Sequence, residues 1–388
     1  MKNPFSLEVS PLRTLFWAFL IPSVVWGAEP MMDIGLLETS RIGAVNAAKT
    51  GGFAQALRGE EQALKIAQDQ FGPTSLSLVP ILEDQGVLQW HLARYGEAEE
   101  TLKWALALRE KNLGPDDPQL AGSLDLLAAL YGEMNRWEEA RPLEKRALAL
   151  RQAGASGDSR AISNSQELLG RVELALKNTG QALALFQQAQ ECLEKLSKPD
   201  PAASVNLWKD LARTFLARQN LPQAQACLEK ALGADRKGFA PDSPQVADGM
   251  LDLADFDRGH GPADKSRALD DSALAIAKKF VGTNDDYQAL PHMKRLARAY
   301  AAIGDGSSAG DLWKKVVQTE TAVFGPEHPK VALDLAHLAE VELGLNRKEK
   351  AKKDLQKALL ILKHSFQEDH PLVLETQGLL EETSEGRP

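Results

Sequence analysis

The sequence predicts an all-α solenoid of eight helix–turn–helix repeats, followed by one more helix at the C-terminus. Three observations predict this fold. Small residues recur at a step of about 42 residues, apolar residues within each step follow helical spacing, and one turn sequence returns between steps. In the 388-residue chain the repeats are expected to span 33–369, and 370–388 to form a capping helix through Leu380 and a polar tail.

The strongest signal is a set of three series of small residues in one register. The second series lies seven residues after the first, and the third lies twelve residues before it, where every position is glycine or alanine. Because small side chains let two helices approach closely, three such series indicate a regular array of helix pairs. The first series comprises Ala56, Ala98, Ala140, Ala182, Ala224, Ser266, Ala309 and Ala351.

The third repeat shows the two helices of a unit most clearly. Apolar residues over 120–131 lie at helical spacing and predict a first helix. Residues 135–136 interrupt the pattern, and apolar residues over 140–150 predict a second helix. Ala128 and Ala140 then lie where the two antiparallel helices of one repeat must come close.

A turn sequence separates the repeats. It reads Gly-Pro-x-x-Pro at 114–118 and 325–329, with an Ala-Pro-Asp-Ser-Pro variant at 240–244. The glycine suits the left-handed end of a helix, and the last proline suits the first turn of the next one. The residue before that proline is a predicted N-cap, which is Asp117, Ser243, His328 or His370.

The first 27 residues are predicted to be a secretory signal peptide. Lys2 and Arg13 give a basic start, an apolar run at 14–25 follows, and Gly27 supplies a small residue for cleavage. The run is shorter than the roughly 20 residues of a membrane-spanning helix. We therefore expect export, to the periplasm or out of the cell, with no membrane span after cleavage. The alternative is an uncleaved N-terminal segment that anchors the protein to a membrane.

Composition and motifs argue against several other functions. The 45 Lys and Arg against 54 Asp and Glu give a net charge of −9, which does not favour nucleic-acid binding. The usual zinc-protease, serine-hydrolase and Cys-x-x-Cys motifs are missing from the sequence, and the glycine-rich stretch at 304–310 reads as an ordinary turn. We therefore expect no catalytic residue, no metal and no cofactor. Cys192 and Cys227 are expected to be free thiols. They occupy different positions in the repeat register, which places their Cα atoms too far apart for a disulfide.

The repeat resembles the tetratricopeptide repeat, in the longer form of kinesin light chain-like and nephrocystin-like proteins. The resemblance covers all eight units and rests on the small-residue series, the turn at 324–329 and matching aromatic residues. It implies a right-handed superhelix with the first helix of each repeat on the concave face. It also implies that this face binds a protein or peptide. The matching aromatic residues are Tyr131, Trp137, Trp208, Phe215 and Tyr300.

The residues expected to bind the partner lie on that concave face. Kinesin light chain-like repeats often carry paired asparagines two and three residues before the first small position, where this chain has mostly charged residues. A carboxylate only accepts hydrogen bonds, whereas an amide also donates, so this face departs from the family's mode of peptide binding. Trp90 is a candidate anchor. The predicted partner-binding residues are Glu83, Asp84, Trp90, His91, Asp125, Glu167, Arg171, Lys209, Asp210, Arg213, Asp252, Lys294, Arg295 and Arg298.

The sequence thus predicts an exported scaffold or adaptor that binds a protein or peptide on its concave face. A first alternative is a structural accessory subunit of an envelope or secretion assembly that acts through its convex face. A second alternative is a ligand sensor or enzyme that uses the acidic groove. The sequence leaves the oligomeric state and the partner open.

Overall fold

Helices make up almost all of the described structure. The computed structural model describes residues 34–49, 51–154, 158–196, 200–261, 263–281 and 289–384, so the predicted signal peptide at 1–27 lies outside the described residues. The described residues form 17 α-helices and a short 3-10 helix at Leu76–Leu78, without a strand. No helix in these ranges is long and apolar enough to cross a membrane.

The helices follow one another with short turns between them. In chain order they are α1 (Ile34–Lys49), α2 (Phe53–Phe71), α3 (Val79–His91), α4 (Tyr95–Leu113), α5 (Leu120–Glu133), α6 (Trp137–Ala153), α7 (Ser159–Ala175), α8 (Thr179–Glu194), α9 (Pro201–Ala217), α10 (Leu221–Gly238), α11 (Pro244–His260), α12 (Ala263–Val281), α13 (Leu290–Ala302), α14 (Gly306–Phe324), α15 (Pro329–Gly344), α16 (Lys348–Ser365) and α17 (Pro371–Ser384). Each predicted repeat holds two of the first sixteen helices, here called its A helix and its B helix. The prediction of an all-α array of helix pairs is confirmed.

The chain divides into two compact units, 1–218 and 219–388. The boundary falls inside the fifth predicted repeat, between α9 and α10, so the described helices of unit 1 are α1–α9 and those of unit 2 are α10–α17. In unit 1, every B helix packs between the A helix before it and the A helix after it, and in unit 2 the same holds for α12, α14 and α16, while α10 packs against α11. The 42-residue register continues across this boundary, so the sequence does not indicate the division.

The small residues lie where the helices approach most closely. Ala98 and Ala140 of the first series are completely buried. At Gly170 in the third series, a Cβ atom would lie only 2.6 Å from the ring of Phe186, which is itself fully buried. The large side chain on one helix therefore occupies the space that the small residue on the other leaves open, as expected for close-packed interiors.

The turn from helix A to helix B repeats one unusual backbone conformation. Because left-handed backbone costs a residue with a Cβ atom roughly 1–2 kcal/mol, while glycine adopts it freely, the non-glycine residues in this series carry strain. Residues with φ between 58° and 88° recur in the repeat register at Gly51, Ala93, Asn135, Lys177, Gln219, Gly304 and Asn346.

Replacing Ala93 by glycine is therefore expected to stabilise the protein by about 1 kcal/mol, since φ at this residue is 58°. Urea unfolding followed by circular dichroism measures the change. The control is Ala107→Gly, at an exposed position inside α4, which should destabilise by roughly 0.5–1 kcal/mol. A destabilising Ala93→Gly would contradict the assignment of strain to this turn.

Three of the four predicted N-caps are present at the starts of the A helices, whereas α5 begins at Leu120 with Gln119, and not the predicted Asp117, at its N-cap position. Ser243 Oγ accepts a hydrogen bond from the backbone N–H of Val246. His328 and His370 are buried, and each uses Nδ1 to accept from the backbone N–H two residues later, at 3.1 and 3.3 Å. Asp117 accepts from the N–H of Gln119 at 2.8 Å. These side chains satisfy donors that a helix start leaves without a partner.

Candidate partner-binding surface

The A helices of successive repeats lie side by side within each unit. In unit 1, α3, α5, α7 and α9 contact one another in this order, and in unit 2, α11 contacts α13 and α15 contacts α17. In unit 1, α3, α5, α7 and α9 therefore form a continuous surface, here called the A surface. All fourteen predicted partner-binding residues lie on A helices, so the contacts of these side chains decide what that surface offers.

One group of polar contacts recurs where three helices meet. Glu83 on α3 accepts hydrogen bonds from Arg109 on α4, with Nη2–Oε2 at 2.9 Å, and from Ser123 on α5, with Oγ–Oε1 at 2.5 Å. Burial raises the pKa of Glu83. The charge of Arg109 and the hydrogen bond from Ser123 act in the opposite direction but do not outweigh burial. These three side chains link an A helix, its B helix and the next A helix, and we call such a set an inter-repeat triad.

A second inter-repeat triad occupies the same register one repeat later. Asp125 on α5 binds Arg151 on α6, with Nη1–Oδ1 at 3.1 Å, and the Arg151 guanidinium also donates to Ser165 on α7. Asp125 also hydrogen bonds to the fully buried Glu144. Burial, together with the charge of Asp125, raises the pKa of Glu144 well above its ordinary value.

A third inter-repeat triad reverses the charges. Lys294 on α13 takes the place of the acid, and its Nζ lies 2.8 Å from both Glu320 Oε1 on α14 and Asp334 Oδ1 on α15. Burial opposes the charge of Lys294, but Asp334 and Glu320 outweigh it and raise the pKa of the ammonium group. Burial raises the pKa of Asp334 well above its ordinary value, while Lys294 keeps that of Glu320 low.

The inter-repeat triads were not predicted from the sequence, although the sequence contains a signal for them. The first and second members are 26 residues apart in each triad, and they carry opposite charges with the sign reversed in the seventh repeat. Two residues that form an ion pair in several repeats must carry opposite charges at a constant separation in the sequence, and these two positions do so. Each register position taken alone shows only a charged residue, and the pairing appears only when two positions are considered together.

Other predicted residues bridge neighbouring A helices directly. Arg171 on α7 binds Asp210 on α9, with Nε–Oδ2 at 2.6 Å, and it also pairs with Glu167 on its own helix. Asp210 is almost completely buried. Burial raises the pKa of Glu167 to about 7, against the charge of Arg171. These side chains hold adjacent A helices together.

The same kind of bridge occurs in unit 2. Arg295 on α13 donates to Asp252 on α11, and its Nε lies 2.9 Å from Asp248 Oδ1. Arg298 on α13 approaches Nε2 of His337 on α15 at 3.1 Å. Charged side chains predicted to face a partner are thus engaged between repeats, and their role as partner contacts stays a prediction.

The first A helices carry a further buried ionic contact. Arg41 on α1 binds Asp84 on α3, with Nη2–Oδ2 at 2.6 Å, and its Nε lies 3.7 Å from Glu60 on α2. The Glu60 side chain is only 1% exposed. Burial, with the nearby charge of Asp84, raises the pKa of Glu60 to about 8, and burial raises the pKa of Asp84 to about 6. Two acids here share one cation.

The remaining predicted residues are more accessible. The Arg213 side chain is 43% exposed and lies 2.8 Å from Asp210. Lys209, Trp90 and His91 are half-buried. The His91 ring stacks on Phe53 at 4.9 Å and on Trp90 at 6.1 Å. Trp90 is therefore a partly covered aromatic side chain at the edge of the A surface.

Two asparagines that were not predicted lie on the open side of the same surface. Asn164 is exposed on α7 and Asn206 is half-buried on α9. Asn206 is seven residues, or about two turns, before the exposed Arg213, so the two project from one side of their helix. Asn164 precedes Arg171 by the same step. Within the described part of the chain, neither amide makes a hydrogen bond.

Among the described residues, no three His, Cys, Asp or Glu side chains are grouped so that they could hold a metal ion. Cys192 is half-buried, Cys227 is buried, and both are free thiols. Burial raises the pKa of the Cys227 thiol to about 11, so this residue is unreactive at neutral pH.

The geometry is that of a helix-pair repeat, and a family model gives the type. The model of the tetratricopeptide repeat matches residues 36–111 and 105–153, which include α1 to α6. Residues 36–153 carry tetratricopeptide repeats. The resemblance drawn from the small-residue series and the turn sequence is therefore confirmed.

Solved structures with a similar fold are numerous, whereas no curated protein matches the chain. Yeast Tom70 is 14% identical, with 95% of this chain and 68% of Tom70 aligned at a TM-score of 0.60. A Rap protein complexed with competence and sporulation factor is also 14% identical, with 87% of this chain and 89% of that chain aligned at a TM-score of 0.57. A Podosopora anserina putative kinesin light chain is 21% identical, with 54% of this chain and 98% of that chain aligned at a TM-score of 0.48. The first two similarities establish the fold as that of a tetratricopeptide-repeat solenoid.

Proposed function

We propose that this protein is an adaptor that binds a protein or peptide partner on the surface formed by its A helices. The observation that carries the proposal is the pair of equivalent amides at Asn164 and Asn206, which lie on the open side of two contacting helices. Packed helices are about 10 Å apart, and an extended peptide advances about 3.3 Å per residue. One extended segment can therefore bond to both amides, each of which donates and accepts.

Several features support this surface over the other faces of the repeats. The inter-repeat triads and the bridges between A helices fix the positions of the helices, so the surface is held in place before a partner arrives. Pre-organisation of this kind lowers the cost of binding. A protein of similar fold, the Rap protein, has been solved in complex with competence and sporulation factor. The proposed role is binding without catalysis.

Replacing both asparagines should weaken capture of the partner. The Asn164→Ala/Asn206→Ala variant, immobilised and incubated with an extract of the source cells, is expected to retain at least about tenfold less of the partner than the wild-type protein retains. Two lost hydrogen bonds of about 1 kcal/mol each correspond to such a factor. Quantitative mass spectrometry of the retained proteins gives the ratio.

The matched control is Gln181→Ala/Gln187→Ala, which removes two exposed amides from the B helix α8. This variant should retain the partner as the wild-type protein does. Equal retention by all three proteins would contradict binding on the A surface. Reversing the charges of Glu83 or Asp125 is a poorer test, because both side chains belong to inter-repeat triads and their loss also disturbs the fold.

We further propose that the protein is exported. The basic start, the apolar run at 14–25 and the small residues at 27–28 support export. Cell fractionation followed by N-terminal sequencing tests this directly. A mature protein that begins at Ala28 and lies outside the cytoplasm is the expected result, and a full-length protein in the cytoplasm is the contrary one.

A further inference from the structure

The outward face of α16 is basic, whereas the chain as a whole is acidic. Between 347 and 363 seven residues are Lys or Arg and two are acidic, whereas the whole chain has a net charge of −9. The buried side of α16 is apolar and packs inside the array through Ala351, Leu355, Ala358, Ile361 and Leu362. The charged residues are therefore concentrated on the side that faces solvent.

An apolar residue lies at the centre of these charges. The side chain of Leu360 is 73% exposed, the largest exposure among the big apolar side chains of the described residues. Lys353, Lys357, Lys363 and His364 are exposed and lie three, four or seven residues from Leu360, so they surround it on one helical face. We call these five residues the α16 face.

The cations of the α16 face have few partners of their own. Within the described residues, Lys353 and Lys357 form no ion pair, and Lys363 lies 3.7 Å from Glu368, whose side chain is 88% exposed. Lys363 and His364 belong to the last turn of the helix, where cations stabilise the helix dipole. Lys353 and Lys357 lie in the middle of α16, where that effect has faded, so helix stability does not account for them.

We propose that the α16 face docks an acidic peptide segment of a partner protein, with an apolar side chain of that segment against Leu360. The charge of the face sets the charge of the partner, and the exposed leucine requires an apolar contact at its centre. A membrane surface fits less well. A helix that lies in a bilayer buries its apolar face there, and the apolar face of α16 is already buried in the array. This docking site is separate from the A surface.

The test uses the full-length mature protein and a defined probe. The probe is a fluorescein-labelled decapeptide with four glutamates on each side of two leucines, and a second peptide carries serines in place of the leucines. Fluorescence anisotropy at low salt measures both affinities. We expect Lys353→Glu/Lys357→Glu to weaken binding of the leucine peptide by at least about tenfold. We expect Leu360→Ser to weaken binding of the leucine peptide by about fivefold and to leave that of the serine peptide unchanged.

The control variant is Lys111→Glu/Lys145→Glu, which makes the same change in net charge at exposed lysines of α4 and α6. It should bind the leucine peptide within about twofold of wild type. The proposal is overturned if the control loses as much affinity as Lys353→Glu/Lys357→Glu, or if the latter binds normally. It is also overturned if vesicles of anionic phospholipid bind through the α16 face while the leucine peptide does not. Unaltered circular dichroism spectra confirm that the variants are folded.

Discussion

Replacing Lys294 by glutamate is expected to destabilise unit 2 by about 3–5 kcal/mol. The change removes the only cation of an inter-repeat triad and leaves its three acidic side chains in a buried site, where Glu320 and Asp334 are 4% and 2% exposed. Removing one partner of a buried ion pair costs this much because an uncompensated charge remains. Chemical denaturation followed by circular dichroism measures the loss.

The charges of this triad are reversed relative to those of the first triad, so a variant that exchanges them gives a stricter test. Lys294→Glu/Glu320→Arg/Asp334→Ser reproduces the chemistry of Glu83, Arg109 and Ser123 at the register positions of the seventh repeat. We expect this triple variant to recover at least half of the stability that Lys294→Glu loses. If the triple variant is as unstable as the single one, the three positions do not form an interchangeable unit.

Stability is also expected to fall as the pH rises from about 4.5 to about 8. The pKa of Glu60 is raised from 4.5 to about 8 because the carboxyl group is buried and lies near Asp84. A raised pKa means that the folded state holds a proton that the unfolded chain releases. The contribution of Glu60 is therefore complete below its unfolded pKa and lost above its folded pKa. Full loss corresponds to about 5 kcal/mol.

Glu60→Gln tests this origin of the pH dependence. Glutamine keeps the shape of the protonated acid and does not ionise, so the variant should lose less stability than wild type between pH 5 and pH 8.5. Melting temperatures across this range show the difference. Glu61→Gln, at the exposed neighbouring position, should leave the wild-type slope unchanged. Parallel curves for wild type and Glu60→Gln would contradict the account.

The fold was predictable because its determinants are local and repeat in register. Small residues such as Gly170 and Ala98 are required wherever two helices of a repeat approach, so they recur at the repeat length. The caps at Ser243 and His328 recur for the same reason, since every A helix begins with donors that lack a partner. Each signal is present several times, and a departure at one repeat does not hide it.

The candidate site was less predictable because it depends on contacts between repeats. Glu83 and Asp125 look like exposed acids when their own helix is considered alone, because they lie on its polar side. Their partners Arg109 and Arg151 are on B helices, and burial appears only when the helices are assembled. The asparagines at 164 and 206 were overlooked for a related reason. They lie three residues or more outside the register positions where kinesin light chain-like repeats carry their paired amides.

The division at 218–219 was not predictable from repeat register. The positive φ of Gln219 continues the series seen at Ala93 and Lys177, so the local backbone follows the repeat rule there as elsewhere. Division into units depends on the density of contacts on either side of the boundary, which no single residue determines. The two units are therefore best tested by variants placed within one unit at a time.

Site-specific photo-crosslinking from the A surface tests the central claim most directly. A photoreactive amino acid is placed at Asn164 in one variant and at Gln187, on the B helix α8, in another, and both are irradiated in the source cells. We predict a crosslinked adduct with a partner protein from position 164 and none from position 187. An adduct from position 187 alone would show that the partner binds the outer face of the repeats and would contradict binding on the A helices.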